Sequence, residues 1–251
     1  MKARIKKVFL TLTLVLMMSW GPSAFADDSG LLAEAGVEKK FGKQATAELE
    51  AEMRTRNDFR TIDRFKVGAG AEYKLTNWLK ADAGYQFLVD NNREKITVDD
   101  DAILERWRPS YYSTRHRVFA SLTAGIDVGR VEISLRERWQ YTHRPEHITD
   151  RYDFASKAWE ETAVDVSDKH VLRSRLGVGY NIPHCKFTPE VSVEMFTTAS
   201  LQKTRFTLKG SYKLKKRHSL EAFYRYQSVN HTIDPDDVNT HYIGLGYKFK
   251  F

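Results

Sequence analysis

The sequence predicts an all-β protein, an antiparallel transmembrane β-barrel of about 10–12 strands with short periplasmic turns and long extracellular loops. Three observations lead to this fold. Apolar and polar residues alternate with period two along most of the chain, as they do on strands with one face in lipid. Short connections alternate with long ones. The mean hydropathy of −0.53 argues against a bundle of apolar membrane helices, whereas a barrel averages out as hydrophilic because its strands alternate.

The first 26 residues have the pattern of a secretory signal peptide. Four basic residues precede position 8, residues 8–20 carry no charge, and Ala24-Phe25-Ala26 is a cleavage site of the A-x-A type. We therefore expect residues 1–26 to be removed and residues 27–251 to form the barrel in the cell outer membrane, the alternative being an uncleaved signal anchor. Cleavage leaves 36 Lys and Arg against 33 Asp and Glu, so that the net charge falls from +7 to +3.

The period-two pattern is clearest from Ala45 to Met53, where every odd position is apolar and the even positions are Thr46, Glu48, Glu50 and Glu52. A helix would scatter these glutamates around its axis, whereas a strand places them on one face. A soluble sandwich or lipocalin-like barrel also alternates, but the polar faces here carry too many charges for a dry core. The same pattern predicts strands at 31–37, 65–75, 79–89, 118–126, 131–141, 172–180, 191–195, 206–214, 220–226 and 243–251.

The predicted connections also alternate in length, which is typical of outer-membrane barrels with short turns in the periplasm. Bacterial single-chain barrels have even strand numbers. Eleven segments therefore predict either ten strands, with 31–37 outside the barrel, or twelve, with one more strand in a long loop. A further hairpin in 143–169 would not change this parity. Short connections fall near 41–43, 76–77, 128–129, 182–184 and 215–217, and longer polar ones at about 55–63, 90–114, 143–169 and 229–240.

The final segment, GLGYKFKF at 244–251, resembles the C-terminal signal by which the barrel-assembly machinery recognises its clients. Gly246, Tyr247, Phe249 and Phe251 carry this resemblance, whereas Gly244 replaces the polar residue usual at the first position. Outer-membrane lipid, the barrel-assembly machinery and periplasmic chaperones are the expected partners. No nucleic acid is expected, because most of the basic excess belongs to the signal peptide.

Five segments together resemble an uncharacterised family of outer-membrane β-barrels from Bacteroidota-type bacteria, classified as a domain of unknown function. The resemblance covers nearly all of the mature chain and implies its fold and location. That family has no established activity, so the resemblance implies no catalytic residues. The segments are NWLKADAGYQFLVDNN (77–92), WRPSYYSTRHRVF (107–119), SLRERWQYTHRPE (134–146), VLRSRLGVGYNIPHCKFTPEV (171–191) and GLGYKFKF (244–251).

If the apolar faces contact lipid, the opposite faces line the lumen and carry a distinct charge pattern. One strand presents an acidic ladder, and three consecutive strands each present a pair of arginines. Neighbouring strands lie about 4.8 Å apart, so the arginines are expected to form one basic wall, roughly opposite the ladder. Walls of opposite charge would orient polar solutes and bias ion selection. The predicted lumen-lining residues are Glu48, Glu50, Glu52, Arg115, Arg117, Arg136, Arg138, Arg173 and Arg175.

The sequence is compatible with three functions. A small pore for ions or polar solutes is weighed equally against a closed barrel filled by paired charges, since barrels of this size occur in both forms. The closed form would be structural or would bind partners through the loops at 90–114 and 143–169. An enzyme acting on surface lipid or protein is the least favoured hypothesis.

No catalytic, metal or cofactor site is expected. His116 near Ser113, and His143 and His147 near Glu146, form no recognisable catalytic arrangement. Cys185 is the only cysteine, and with His184 it would supply too few ligands for a metal. The acidic runs at 99–101 and 234–237 lack the spacing of a calcium loop.

Overall fold

A computed structural model describes residues 27–230, 232 and 237–251, and the predicted signal peptide at 1–26 lies outside these residues. The described residues contain no helix long and apolar enough to cross a membrane. Fifteen strands account for most of the described chain. They are β1 (Asp28–Phe41), β2 (Ala45–Arg56), β3 (Thr61–Lys74), β4 (Leu79–Asn92), β5 (Lys95–Val98), β6 (Leu104–Arg108), β7 (Tyr111–Val128), β8 (Val131–Arg144), β9 (His147–Asp153), β10 (Ala158–Val164), β11 (Ser167–Tyr180), β12 (Phe187–Thr197), β13 (Leu201–Lys215), β14 (His218–Val229) and β15 (Thr240–Lys250).

Eleven of these strands close into one barrel, which confirms the predicted fold class. Their order is β1-β2-β3-β4-β7-β8-β11-β12-β13-β14-β15, with β15 returning to β1. All neighbours are antiparallel except β1 and β15, which pair in parallel from Asp28↔Thr240 to Glu38↔Lys250. The expectation of ten or twelve strands was therefore wrong. The first strand belongs to the barrel, and the described loops contribute no further barrel strand. Because the eleven strands run alternately up and down, the first and the last run in the same direction.

The connections separate into two ends of the barrel, as predicted from their lengths. Every connection at one end has two to six residues, and Gly42 and Gly129 take left-handed φ values of 66° and 64° there. We call this the turn end and the other the loop end. The long connection expected at about 55–63 was wrong, because β2 and β3 extend until only residues 57–60 separate them.

The two longest connections form a small second sheet at the loop end, with strand order β10-β9-β6-β5. Arg106↔Asp153 and Trp107↔Tyr152 join the two loops, and the Trp107 and Trp159 rings lie 5.6 Å apart. In the β9–β10 turn, the backbone amide of Ser156 donates to the Asp153 carboxylate, which lowers the pKa of Asp153. The hairpin allowed for in 143–169 is present, but the union of both loops was not predicted.

Burial in the barrel is inverted relative to a water-soluble core. Outward side chains such as Leu49, Leu122 and Leu245 are 60%, 52% and 68% exposed. Inward positions are mostly polar, and Gln86 and Glu194 are 4% and 8% exposed. The three buried apolar side chains that form one cluster are Leu32, Phe223 and Tyr242. The alternating pattern therefore places apolar residues outside and charged residues inside.

Candidate functional site

The interior of the barrel contains two cavities. A loop-side cavity of about 400 Å³ and a turn-side cavity of about 550 Å³ share Glu50, Arg136 and Arg138 in their walls. All nine residues predicted to line the lumen border at least one of them. Glu50, Glu52, Arg115, Arg117, Arg136, Arg138, Arg173 and Arg175 line the loop-side cavity, and Glu48 lines the turn-side cavity.

The six arginines lie on the neighbouring strands β7, β8 and β11. Arg138 is directly opposite Arg173 in the strand register, and Arg136 is opposite Arg175. Like charges in such positions repel one another unless an acid lies between them. Glu194 compensates one arginine of each opposed pair, since its Oε1 lies 2.8 Å from Nη2 of both Arg136 and Arg173. The basic wall is therefore partly neutralised.

Two further arginines of this wall use carboxylates on β4. Arg138 Nη2 donates to Asp82 Oδ2 at 2.8 Å, and Arg115 Nε lies 3.1 Å from Asp90 Oδ2. Arg117 differs, because its hydrogen-bond partners are neutral: Nε donates to the Thr142 hydroxyl at 2.9 Å and Nη1 to Gln86 Oε1 at 3.4 Å. Within the described residues Arg117 has no carboxylate partner, so it contributes a full positive charge to the lumen.

The acidic ladder on β2 is bridged by the neighbouring strand. Lys66 Nζ lies 3.1 Å from both Glu50 Oε2 and Glu52 Oε2. Glu50 Oε1 also accepts a hydrogen bond from Gln86 Nε2 at 2.6 Å, across the intervening strand β3. This contact requires glycine at position 68, because a Cβ there would lie 2.9 Å from Glu50 Oε1. The ladder is therefore a bonded network along the wall.

Several lumen residues that matter to this network were missed by sequence reasoning. Glu190 and Glu194 on β12 hold the arginines of β8 and β11, and Lys203 and Arg205 on β13 line the loop-side cavity. The alternating pattern in the sequence could have identified them. Each lies on the inward-facing side of its strand, and the outward-facing side carries Val191 and Val193 on β12 and Phe206 on β13. The strands β12 and β13 run further toward the loop end than the apolar pattern indicated.

The ion pairs run along the wall of the barrel. Among the described residues, each pair between barrel strands joins neighbouring strands or strands with one other between them. The pairs that span one intervening strand include Arg138–Asp82 and Arg225–Glu34. Glu50 on β2 and Arg173 on β11 lie five strands apart around the barrel, and no described pair connects them. The pairing therefore leaves the centre of the lumen uncrossed.

The loop-side cavity is strongly basic. Fifteen of its lining residues are Lys or Arg and six are Asp or Glu. Four further carboxylates, those of Asp63, Asp82, Asp90 and Glu190, pair with these cations from the wall, so the basic residues still outnumber the acidic ones by five. Cavities walled by low-dielectric strands concentrate the field of such an excess. The arrangement can therefore attract and hold anions. The basic residues are Arg54, Arg64, Lys66, Arg115, Arg117, Arg136, Arg138, Arg144, Lys169, Arg173, Arg175, Lys203, Arg205, Lys209 and Arg225.

We call the level that the two cavities share, at Glu50, Arg136 and Arg138, the neck. The Arg138 guanidinium carbon is 4.1 Å from the centroid of the Phe119 ring, and Arg138 Nε donates to Ser121 Oγ at 2.8 Å. Phe119 in turn lies over Gly84, where a Cβ would be 2.7 Å from Phe119 Cζ. Arg138, Phe119 and Gly84 thus pack against one another at this level.

Comparison with family models shows a match over residues 30–249 to the family described as "Protein of unknown function (DUF2490)". The chain belongs to the DUF2490 family. The match confirms the resemblance to an uncharacterised family. No curated protein matches this DUF2490 chain.

Solved structures resemble the DUF2490 barrel in fold. The β domain of the Bordetella autotransporter BrkA superposes with a TM-score of 0.51 at 13% identity, over 81% of this chain and 78% of that one. The NanC porin has a TM-score of 0.42 at 14% identity, over 80% of this chain and 87% of that one. The CymD monoaromatic hydrocarbon channel has a TM-score of 0.37 at 7% identity, over 80% and 83%. At these identities the likeness to BrkA concerns fold alone.

His116 and His143 of the DUF2490 barrel lie outside the lumen network. His116 Nδ1 lies 2.6 Å from the Tyr85 hydroxyl, and His143 Nδ1 lies 2.8 Å from Asp168 Oδ1. Ser113 is instead bound by Asn92, whose Nδ2 donates to its hydroxyl at 2.8 Å. No group of three or more His, Cys, Asp or Glu suited to a metal occurs in the described part of the chain.

The residues predicted to form the assembly signal lie on and just after β15. Gly246, Tyr247 and Phe249 belong to that strand, and the backbone amide of Phe251 donates to the Glu38 carbonyl at 2.8 Å. The Phe249 and Phe251 rings contact each other edge to face at 4.7 Å. These residues therefore contribute to the closing edge between β15 and β1.

Proposed function

We propose that this chain is an outer-membrane barrel whose lumen passes small ions and polar solutes, with a preference for anions. The excess of fifteen basic over six acidic residues in the loop-side cavity carries this proposal. Rings of Arg and Lys select anions in other pores by lowering the electrostatic barrier to negative solutes. The turn-side cavity shares Arg136, Arg138 and Glu50 with it and adds five basic and four acidic residues, so the positive bias extends weakly along the lumen.

The exterior supports a membrane location. Large apolar side chains with more than a third of their surface exposed cover the outer face of the barrel. In water this face would be an exceptionally large exposed apolar patch. Aromatic side chains circle the turn end, as expected where strands meet the lipid headgroups. Exposed members of this belt are Phe41, Tyr73, Trp78, Tyr180, Phe187, Tyr212 and Tyr247. Assembly by the barrel-assembly machinery, with periplasmic chaperones during export, belongs to the same proposal.

The ion-pair geometry favours an open lumen over a filled one. A plug of side chains would join opposite walls, whereas the described ion pairs between barrel strands stay within two strand steps, and the longer reach from Arg93 to Asp28 lies in the connection at the loop end. The two cavities that remain total several hundred Å³ on either side of the neck. Small hydrated anions therefore have space above and below the level of Arg138.

A closed structural or surface-interaction barrel is the second candidate, and the neck favours it. Arg138 contacts both Asp82 and the Phe119 ring at the level where the cavities meet, where such a stack would narrow the lumen. The joined loop sheet, with Trp107 and Trp159 in contact, would then be the surface that meets a partner.

Reconstitution in planar bilayers separates the two candidates. The barrel is refolded without residues 1–26, and folding is checked by the gel shift between heated and unheated samples. We expect discrete conductance steps and a reversal potential of the sign for anions in a KCl gradient. Arg117→Gln should reduce that anion preference, and Arg130→Gln in the exposed β7–β8 turn should leave it unchanged. Folded protein without conductance above background would exclude the pore.

A further inference from the structure

We infer that the loop-side cavity holds a saturable binding site for a small anion bearing carboxylate or phosphate groups, formed by Arg136, Arg173, Lys203 and Arg205 around Phe196 and Glu194. This inference deepens the proposed function and rests on it for the route by which the anion enters. It goes further in placing a defined site on one part of the wall.

One carboxylate serves three arginines in this cluster. Both oxygens of Glu194 lie 2.8 Å from Arg173 Nη2, and Oε1 also lies 2.8 Å from Arg136 Nη2. Arg205 Nη1 is 3.9 Å from Oε2 and makes no hydrogen bond to it. Three guanidinium groups share one carboxylate, so two of their positive charges are not compensated inside the cavity.

An aromatic ring holds the same cations together without neutralising them. The Phe196 centroid lies 4.6 Å from the Arg173 guanidinium carbon, 4.5 Å from that of Arg205 and 5.5 Å from Lys203 Nζ. The negative face of a ring attracts cations but carries no net charge. Phe196 is itself only 5% exposed, so the cluster is built on a packed anchor.

Lys203 is the group most available to a ligand. It lines the loop-side cavity, and within the described residues it has the contact with Phe196 and neither a hydrogen bond nor an ion pair. An ammonium group has three donors and is a strong point charge for carboxylate or phosphate oxygens. Asp237 lines the same cavity and attracts Lys203, so the four cations Arg136, Arg173, Lys203 and Arg205 exceed the carboxylates of Glu194 and Asp237 by two charges.

The dimensions of the cavity restrict the ligand to a small solute. A volume of about 400 Å³ lies at the lower end of the range for small-molecule sites. A polymer such as a nucleic acid would require a groove open along its length. Arg117 and Lys169 line the same cavity and bind neutral oxygens of Thr142 and Gln202, so they extend the positive surface around the site.

Titration calorimetry on the refolded barrel tests this site without depending on conduction. Citrate and inorganic phosphate are the anionic probes and sucrose is the uncharged one, all at constant ionic strength. We expect saturable binding of one or both anions and none of sucrose. Citrate alone would identify a carboxylate site, and phosphate alone a phosphate site.

The variants Lys203→Gln and Arg205→Gln should each weaken anion binding about tenfold, the loss of one charge-assisted hydrogen bond. Lys40→Gln, which removes the same charge from the turn-side cavity, should leave the affinity unchanged. The gel shift shows that each variant is folded. A binding heat that does not saturate with anion concentration, or the same affinity in all variants, would contradict the proposed binding site.

The two proposals fail in different ways. A barrel that conducts anions without a saturable site keeps the pore and rejects this inference. A barrel that binds citrate or phosphate without conducting keeps the site and rejects the pore.

Discussion

The guanidinium of Arg138 lies 4.1 Å from the centroid of the Phe119 ring, at the level where the two lumen cavities meet. The contact combines a cation–π attraction with the salt bridge from Arg138 to Asp82. It fixes the arginine against the wall of strands β4, β7 and β8. The position of this lumen arginine therefore depends in part on an apolar side chain.

Replacing Phe119 by Ala should widen the neck and raise single-channel conductance. The substitution removes the ring beneath Arg138 and frees space beside Gly84. Phe223→Ala is the matched control, because Phe223 is another buried aromatic that lies over a glycine, Gly244, on the opposite part of the barrel. Unchanged conductance in folded Phe119→Ala would show that the narrowest level lies elsewhere.

Gly84→Ala should destabilise the barrel by about 1–3 kcal/mol, the usual cost of overpacking. A Cβ at position 84 would lie 2.5 Å from the Ala69 carbonyl oxygen and 2.7 Å from Phe119 Cζ. In Gly125→Ala the nearest atom is the Ile133 carbonyl oxygen at 3.8 Å, so that variant should be neutral or slightly stabilised. Urea unfolding in lipid vesicles, followed by tryptophan fluorescence, measures both. Equal midpoints would contradict the packing described here.

Glu194→Gln should be strongly destabilising and should also increase anion preference. Removing one partner of a buried charge cluster costs about 3–5 kcal/mol, because Arg136 and Arg173 lose their carboxylate. Glu72→Gln removes the same charge from an exposed pair with Lys80 and should cost at most about 1 kcal/mol. The free energy of unfolding and the reversal potential are the two measurements. If both variants unfold alike, Glu194 does not hold the basic wall.

The parallel closure between β1 and β15 predicts a specific disulfide. Ala33 and Leu245 face each other in that register, and both side chains point outward. In a Cys185→Ser background, Ala33→Cys with Leu245→Cys should cross-link on mild oxidation, since neighbouring strands lie within disulfide reach.

The control for this cross-link pairs Ala33→Cys with Tyr247→Cys. Tyr247 lies opposite Ala35, so this pair is two residues out of register and about 8 Å apart, too far for a disulfide. The read-out is mobility on non-reducing gels of folded protein. Cross-linking of neither pair would indicate that β1 lies outside the barrel.

The positions and faces of the strands follow from the sequence because alternation is a local property. Each of the eleven predicted segments became a barrel strand, and Leu49 and Glu50 point to opposite sides as their parity requires. The same parity places Arg136 and Arg138 in the lumen. Applied to the polar positions of 191–195 it would have added Glu194, and extended beyond 206–214 it would have added Lys203.

Three features were decided only by the tertiary structure. Whether the barrel has an odd or even number of strands depends on which strands close it. The closing strands β1 and β15 pair in parallel, for example at Leu31 and Ile243, which are far apart in the sequence. The loop sheet likewise joins Trp107 to Tyr152 across an intervening barrel hairpin. Neither contact leaves a periodic signal in the sequence.

Charge pairing is the third such feature and the one that matters for function. The sequence alone determined that this protein alternates apolar and charged faces and that its lumen would be lined by arginines and glutamates. Which arginine meets Glu194, and which cations remain without a carboxylate, depends on strand register across β8, β11, β12 and β13. Register is a long-range property, because it is set by the pairing of whole strands and the packing of side chains such as Phe196 between them.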